Sequence, residues 1–244
     1  MTSRTALITG GTSGIGLATA ARLHRDGYRV AVTGSTAASV GAARSQLPDD
    51  VLVRQADVRS RPETRALIGE LRERFGTLDV LFLNAGLTRG MPVGAYDEVT
   101  VDDLLAVNFT GQFFTLQQAL GLLDDGASII LTVGIGVTRG VGTGSAAAAS
   151  KGALLALVPS LALELAPRRI RVNAVSPGAI ATPLWSRLGT SAEAAGAAMA
   201  GQIPLGRLGT SDEIAHVVAF LASPAAAYLT GENIVVGGGS GLRA

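Results

Sequence analysis

Short apolar runs alternate with amphipathic segments from one end of the chain to the other. The runs TALIT (5–9), RVAVT (29–33), VLVRQ (51–55), DVLFL (79–83), SIILTV (128–133), IRVNAV (170–175) and NIVV (233–236) predict buried parallel strands. Between them, apolar spacing at three and four residues predicts helices near 14–26, 61–74, 100–123, 146–166 and 211–222. Segment 36–46 is a poorer helix, because Gly41 and a scarcity of large apolar residues dilute its face. Regular alternation of the two element types predicts an α/β fold of Rossmann type. Its core is a doubly wound, parallel, seven-stranded sheet in a single domain over residues 1–244.

One stretch breaks the alternation. Residues 190–206 are small, rich in Ala and Gly, and read as an irregular excursion following the strand at 170–175. At the C-terminal edge of such a sheet, this suggests a substrate lid near 183–206. A surface insertion with no role is the alternative.

Composition narrows the function classes. The 244 residues are 48% hydrophobic and 16% charged with a net charge of +1, enough for a large core and no basic surface for nucleic acid. Cysteine is absent, which removes disulfides and thiolate chemistry. The longest apolar stretch, Gly152–Leu163, contains Pro159 and is shorter than the roughly 20 residues a bilayer span needs. A cytoplasmic protein without a membrane partner is expected. His24 reads as a favourable charge near a helix C-terminus, and His216 as part of an amphipathic helix. Two separated histidines without a carboxylate cluster make no metal site. Trp185 could line a cleft or pack in the core, and Arg89 and Arg139 follow strands at the edge where ligands collect.

The first strand runs into TGGTSGIG (9–16) and then a helix. Glycines between a strand and a helix let backbone N–H groups approach a pyrophosphate, so Gly10, Thr12, Ser13, Gly14, Ile15 and Gly16 are candidate cofactor contacts. With this turn come Asp57-Val58, Asn84-Ala85-Gly86, Asn108, Lys151 and SPGAIAT (176–182), in that order. Over essentially its whole length the chain resembles the short-chain dehydrogenase/reductase family, and in wording it is most similar to broad-range microbial secondary-alcohol dehydrogenases.

The resemblance implies roles. Asp57 and Val58 would meet the adenine, and Asn84, Ala85 and Gly86 would support the sheet beside the cofactor. Pro177, Gly178, Ile180 and Thr182 match contacts on the nicotinamide side. In the family a tyrosine four residues before the lysine is the general acid, and a serine thirteen residues before the tyrosine bonds the substrate oxygen. The lysine lowers the phenol's pKa and holds the nicotinamide ribose, while the asparagine holds a water. Here the tyrosine position is Ala147 and the serine position is Gly134; Asn108 and Lys151 remain. The nearby hydroxyls of Thr132, Thr138, Thr143 and Ser145 are poor substitutes for a phenol. Losing a positioned general acid costs about 10²–10⁴ in rate. Losing a donor to the developing oxyanion costs roughly 10²–10³. Hydride chemistry on a ketone or secondary alcohol is therefore expected to be nearly abolished.

An acid at the end of the second strand would favour NAD, but Gly34 stands there. Ser35 and Thr36 follow in place of arginine and, with Thr12 and Ser13, could ring a 2′-phosphate. This points to NADP(H) over NAD(H). Three functions fit: an oxidoreductase inactivated by the two replacements, in nature or by engineering; a scaffold for non-redox catalysis; or a non-catalytic cofactor-binding or partner protein. The resemblance also implies a homotetramer or homodimer built on helices around 103–123 and 146–166.

Overall fold

A computed structural model describes residues 3–242. The strands are β1 (Thr5–Ile8), β2 (Arg29–Gly34), β3 (Leu52–Gln55), β4 (Leu78–Leu83), β5 (Leu123–Thr132), β6 (Arg171–Pro177), β7 (Ile180–Ala181), β8 (Gly209–Thr210) and β9 (Asn233–Val236). Seven of them form one parallel sheet in the order β3-β2-β1-β4-β5-β6-β9. They are the seven expected from the apolar runs. The β7–β8 pair is additional; two-residue strands carry no legible period.

Side chains along the strands alternate between two cores, as a two-residue period requires. Leu7, Leu81, Leu83, Ile129 and Leu131 face one helix layer, and Ile8, Val80, Phe82 and Ile130 face the other. The helices are α1 (Gly14–Arg25), α2 (Ala37–Arg44), α3 (Arg61–Phe75), α4 (Glu98–Leu105), α5 (Gly111–Ala119), α6 (Gly136–Arg139), α7 (Ser145–Leu165), α8 (Leu184–Arg187), α9 (Ala192–Met199) and α10 (Ser211–Ala222). α3, α5 and α7 close the first core; α1, α2 and α10 close the second. β1 pairs with β2 on one side and β4 on the other, so strand order reverses beside β1. A crevice for ligands opens there, at the C-terminal ends of the strands.

Three sequence expectations need correction. The helix expected over 100–123 is interrupted by a π-helical turn at Ala106–Thr110, which carries Asn108. Apolar spacing near 3.6 cannot reveal an added residue in one turn. The excursion at 190–206 is helical in its first part, as α9 followed by a short turn at Ala200–Gln202. Its alanines favour helix, and the Ser191 side chain accepts from the Ala194 N–H at 3.1 Å as an N-cap. Finally, α7 continues through a helical segment Ser145–Arg168 of 24 residues with mean hydropathy 1.6, long and apolar enough by length and composition to cross a membrane. In the fold it lies along the sheet, burying Ser150, Leu154, Val158, Ala162 and Leu165 at helical spacing. Leu163 on another face is 80% exposed.

Candidate active site

The glycine turn is closed so tightly that only glycine fits. A Cβ at Gly16 would lie 2.3 Å from the Gly10 carbonyl oxygen, and one at Gly10, whose φ is +61°, would lie 2.8 Å from the Ala85 Cα. α1 starts at Ser13 with no side-chain cap and no acidic residue in its first turn, so its leading N–H groups are not neutralised. The residues present thus fit a dinucleotide pyrophosphate on steric and electrostatic grounds. The loop bearing Thr182 is brought to the same place: a Cβ on Gly14 would meet the Thr182 Cγ2 at 3.3 Å. Gly178 sits against Gly237, with only 2.7 Å between its would-be Cβ and the Gly237 Cα.

Asn84 joins three strands at this edge. Its Nδ2 donates to the carbonyls of Thr9 (3.2 Å) and Gly10 (3.1 Å), and its Oδ1 accepts from the Thr132 hydroxyl at 3.0 Å. The Thr9 Oγ1 accepts from the N–H groups of Asn84 and Ala85 and donates to Gln112 Oε1 at 3.2 Å. Gln112 in turn donates to the Ala85 carbonyl. Thr9, Gln112 and Thr132 were missed by sequence reasoning. Each is a lone polar residue in or beside an apolar run, and that oddity was the available signal.

Lys151 reaches the same network from α7. Its Nζ donates to the Thr132 carbonyl at 2.8 Å. Withdrawal from water holds the amine near pKa 8, below its ordinary 10.5, and no charged group contributes. Gly86 abuts it, since a Cβ there would lie 3.0 Å from Nζ and 3.3 Å from the Asn108 Oδ1. Asn108 is fully buried. Its Oδ1 accepts from the Leu87 N–H (2.8 Å), and its Nδ2 donates to the Leu87 carbonyl (2.8 Å) and the Ser150 hydroxyl (2.9 Å). Sequence reading overlooked that Lys151 is the only lysine in the chain, every other cationic chain being arginine. Arginine cannot give up its proton near neutrality, whereas a buried lysine can.

Ala147 stands one turn before Lys151, on the same helix face. The Gly134 φ is +127°, and nothing lies within 4 Å of a Cβ built on it. There is space at that position, but a backbone that L-residues rarely adopt. Serine at 134 is therefore strained on the present backbone.

No tyrosine bonds Lys151. The Tyr96 hydroxyl lies between the carbonyls of Arg89 (2.9 Å) and Thr143 (3.0 Å). The Tyr28 hydroxyl donates to the Ala222 carbonyl, and Tyr228 is fully exposed. The alternative hydroxyls are engaged or remote: Thr132 bonds Asn84, Thr138 bonds the Ile135 carbonyl, Thr143 bonds the Gly142 carbonyl, and Ser145 is exposed.

At the far end of the cradle, a Cβ on Gly34 would lie 2.5 Å from the Thr12 Oγ1 and 2.8 Å from the Ser39 Oγ. An acidic side chain there would have to displace the Thr12 and Ser39 side chains. Thr36 caps α2, its hydroxyl accepting from the Ser39 N–H at 3.2 Å, and Ser35 is exposed. The Asp57 carboxylate is held by Arg59 (2.7 Å), whose other arm bonds Asp103. The guanidinium beside it keeps Asp57 below the usual carboxylate range. Val58 packs on the π turn, 2.9 Å from a Cβ placed on Gly111.

The lesser candidates resolve. His24 pairs with Asp50 at 2.9 Å in the last turn of α1, and His216 is exposed. The Trp185 Nε1 donates to the Ile180 carbonyl at 2.8 Å, and its ring packs with Ala195, Ile203 and Leu208. Arg139 is tied to the Ser240 carbonyl, whereas Arg89 is exposed. Among the described residues no cluster of three metal-ligating side chains occurs.

Comparison with known proteins agrees with this geometry. The family profile described as Enoyl-(Acyl carrier protein) reductase matches residues 10–241. The chain is 37% identical to the 3-oxoacyl-[acyl-carrier-protein] reductase FabG of Staphylococcus aureus over 97% of this chain and 98% of that protein. It is 32% identical to levodione reductase of Leifsonia aquatica over 98% of this chain and 94% of that one. The chain belongs to the short-chain dehydrogenase/reductase family. Its backbone superposes on the crystal structure of levodione reductase with a TM-score of 0.89, at 32% identity over 98% of each chain. A variant of the actinorhodin polyketide ketoreductase, solved with NADPH, gives a TM-score of 0.91 at 35% identity, covering 98% of this chain and 97% of that one. The short-chain dehydrogenase/reductase fold accounts for the glycine turn, the Asn84 crossing and the buried Asn108 and Lys151 standing at one sheet edge.

Proposed function

We propose that this protein is a cytoplasmic, nicotinamide dinucleotide-binding member of its family in which carbonyl reduction is nearly lost. The observation that carries the reading is the pairing of an intact Lys151 and Asn108 with Ala147 and Gly134. When bound, the dinucleotide supplies hydride for a ketone, or accepts it from a secondary alcohol. The chain's own residues bind and orient. Gly10, Gly14, Gly16 and the start of α1 take the pyrophosphate. Asp57 and Val58 flank the adenine, and Asn84, Ala85 and Gly86 brace the sheet edge. Lys151 holds the ribose, and Pro177, Gly178, Ile180 and Thr182 close the nicotinamide side. No group polarises a substrate oxygen, which withholds the proton that reduction needs.

NADP(H) is favoured over NAD(H). Gly34 carries no acid and packs against the Thr12 and Ser39 side chains, the relative solved with NADPH is consistent, and Thr12, Ser13 and Ser35 offer donors at that end. α8, α9 and the turn behind them form a lid over the substrate side, and the exposed face of α7 packs against another copy in a homodimer or homotetramer.

The test is a fluorescence titration with NADPH and NADH, followed by a ketone panel run beside Ala147→Tyr and Ala147→Tyr/Gly134→Ser. Tight NADPH binding with negligible turnover, and turnover regained in the variants, is the expected outcome. Ready ketone reduction by the unaltered chain would overturn the reading.

A further inference from the structure

The amine of Lys151 has a neighbourhood unlike that of an ordinary structural lysine. Among the described residues it makes one hydrogen bond, to the Thr132 carbonyl at 2.8 Å, and no carboxylate pairs with it. The groups packed around it, Gly86, Asn108 and Thr132, are not ionisable. Gly86 closes one flank of the amine, a Cβ there lying 3.0 Å from Nζ, whereas Ala147, one turn away on the same helix face and partly exposed, presents only a methyl group. Lys151 and Ala147 are each only partly buried as residues, so this helix face is reached from the surface although the amine itself is withdrawn from water.

We infer that Lys151 is an amine nucleophile that condenses reversibly with small aldehydes in the space left beside Ala147. This rests on the reading that no phenol fills that space. The Nζ lone pair adds to the carbonyl carbon, and the carbonyl π pair moves to oxygen, which takes up a proton. The carbinolamine hydroxyl takes up a second proton and leaves as water, the two amine hydrogens are released to solvent so that protons gained and lost are equal, and a C=N bond replaces C=O. Neither oxidant nor reductant is consumed. A buried amine near pKa 8 supports the step, because its neutral, nucleophilic form is abundant at that pH.

The chain offers a clean experiment, since its only other amine is the α-amino terminus. The full-length protein without added dinucleotide is incubated with propanal and sodium cyanoborohydride. The reagent supplies the hydride that converts the imine to a stable secondary amine, and peptide mapping by mass spectrometry locates it. At pH 8 a lysine near pKa 8 is about half neutral, against roughly 0.3% for a free lysine at 10.5, a ratio on the order of 10². Labelling of Lys151 at least about tenfold faster than of an acetyl-lysine amide is expected, with a rate that levels off above pH 8. Label confined to the α-amino terminus, or Lys151 reacting no faster than the free amide, overturns the proposal. Ala147→Tyr separates the two readings. If labelling proceeds at an unchanged rate in that variant, the space argument fails and the amine assignment with it. If the variant labels at least tenfold more slowly yet reduces no ketone with NADPH, the amine assignment stands and the proposal that reduction was lost with the phenol is what fails.

Discussion

The dinucleotide end of the crevice and its substrate end are built to opposite standards. At the first, Gly10, Gly16, Gly34 and Gly178 each have backbone or side-chain atoms within 3 Å of a would-be Cβ, and Asn84 spends three hydrogen bonds on three strands. At the second, Gly134 has nothing within 4 Å of a would-be Cβ, and Ala147 offers only a methyl group at the position where the proposed reading calls for a phenol. A close-packed site tolerates little change because every added atom displaces another; an open one tolerates loss because no neighbour depends on what was removed. On the proposed reading, the contrast accounts for a family member that keeps its cradle and sheds its acid.

The largest effect should come from refilling the open end. Ala147→Tyr is expected to raise NADPH-dependent ketone reduction by about 10²–10⁴ in kcat/KM, measured by absorbance at steady state. Adding Gly134→Ser should yield less than the usual oxyanion-donor gain, because a φ of +127° strains any L-residue there. An increment from serine equal to that from tyrosine would show that the loop readily changes its backbone.

Next in size is damage to the closed end. Gly16→Ala places a methyl 2.3 Å from the Gly10 carbonyl oxygen, so the turn must open. NADPH affinity is expected to fall by more than roughly tenfold, about 1.4 kcal/mol or more, in fluorescence titrations. Unchanged affinity would mean that the glycine turn is not the cradle.

Lys151 links the two ends and should cost stability. Its folded pKa, about 8, is lower than the ordinary 10.5, so the unfolded chain binds more protons between those values. Stability therefore rises with pH across that window, as the unfolded state loses the proton that the folded state has already shed. Lys151→Met should abolish this rise and stabilise the free protein at pH 7 by on the order of 1–3 kcal/mol in urea unfolding. Parallel stability profiles for the two proteins between pH 8 and 10.5 would contradict the burial of the amine.

The smallest effect tests Gly134 alone. Gly134→Ala should lower stability by about 1 kcal/mol through backbone strain, despite the open space around it. A neutral or stabilising result would show that the loop relaxes freely.

Much of this was legible in the chain. Buried parallel strands announce themselves as short apolar runs because both faces of the sheet are covered, and all seven were placed within a few residues. The helix at 14–25 followed from apolar spacing and the turn before it from its glycines. Missed features share a cause: they depend on partners far away in sequence. Thr9, Thr132 and Gln112 are ordinary polar residues until Asn84 and Ala85 are brought to them. The π turn under Asn108 breaks no local pattern, and α9 hid within alanines that pack only because Trp185, Ile203 and Leu208 meet them.

The sequence by itself determined the order of strands and helices, the glycine turn between β1 and α1, and the alanine at 147 and glycine at 134 on which the proposed function rests. These are properties of local residue choice, and a one-dimensional pattern can carry them. Only the tertiary structure decided that the Lys151 amine is withdrawn from water against the Thr132 carbonyl, that Gly134 has a backbone unsuited to serine, and that Gly34 lies against the Thr12 and Ser39 side chains. Those facts are set by what other elements bring within a few ångströms, and distance in space is the quantity that a list of residues does not contain.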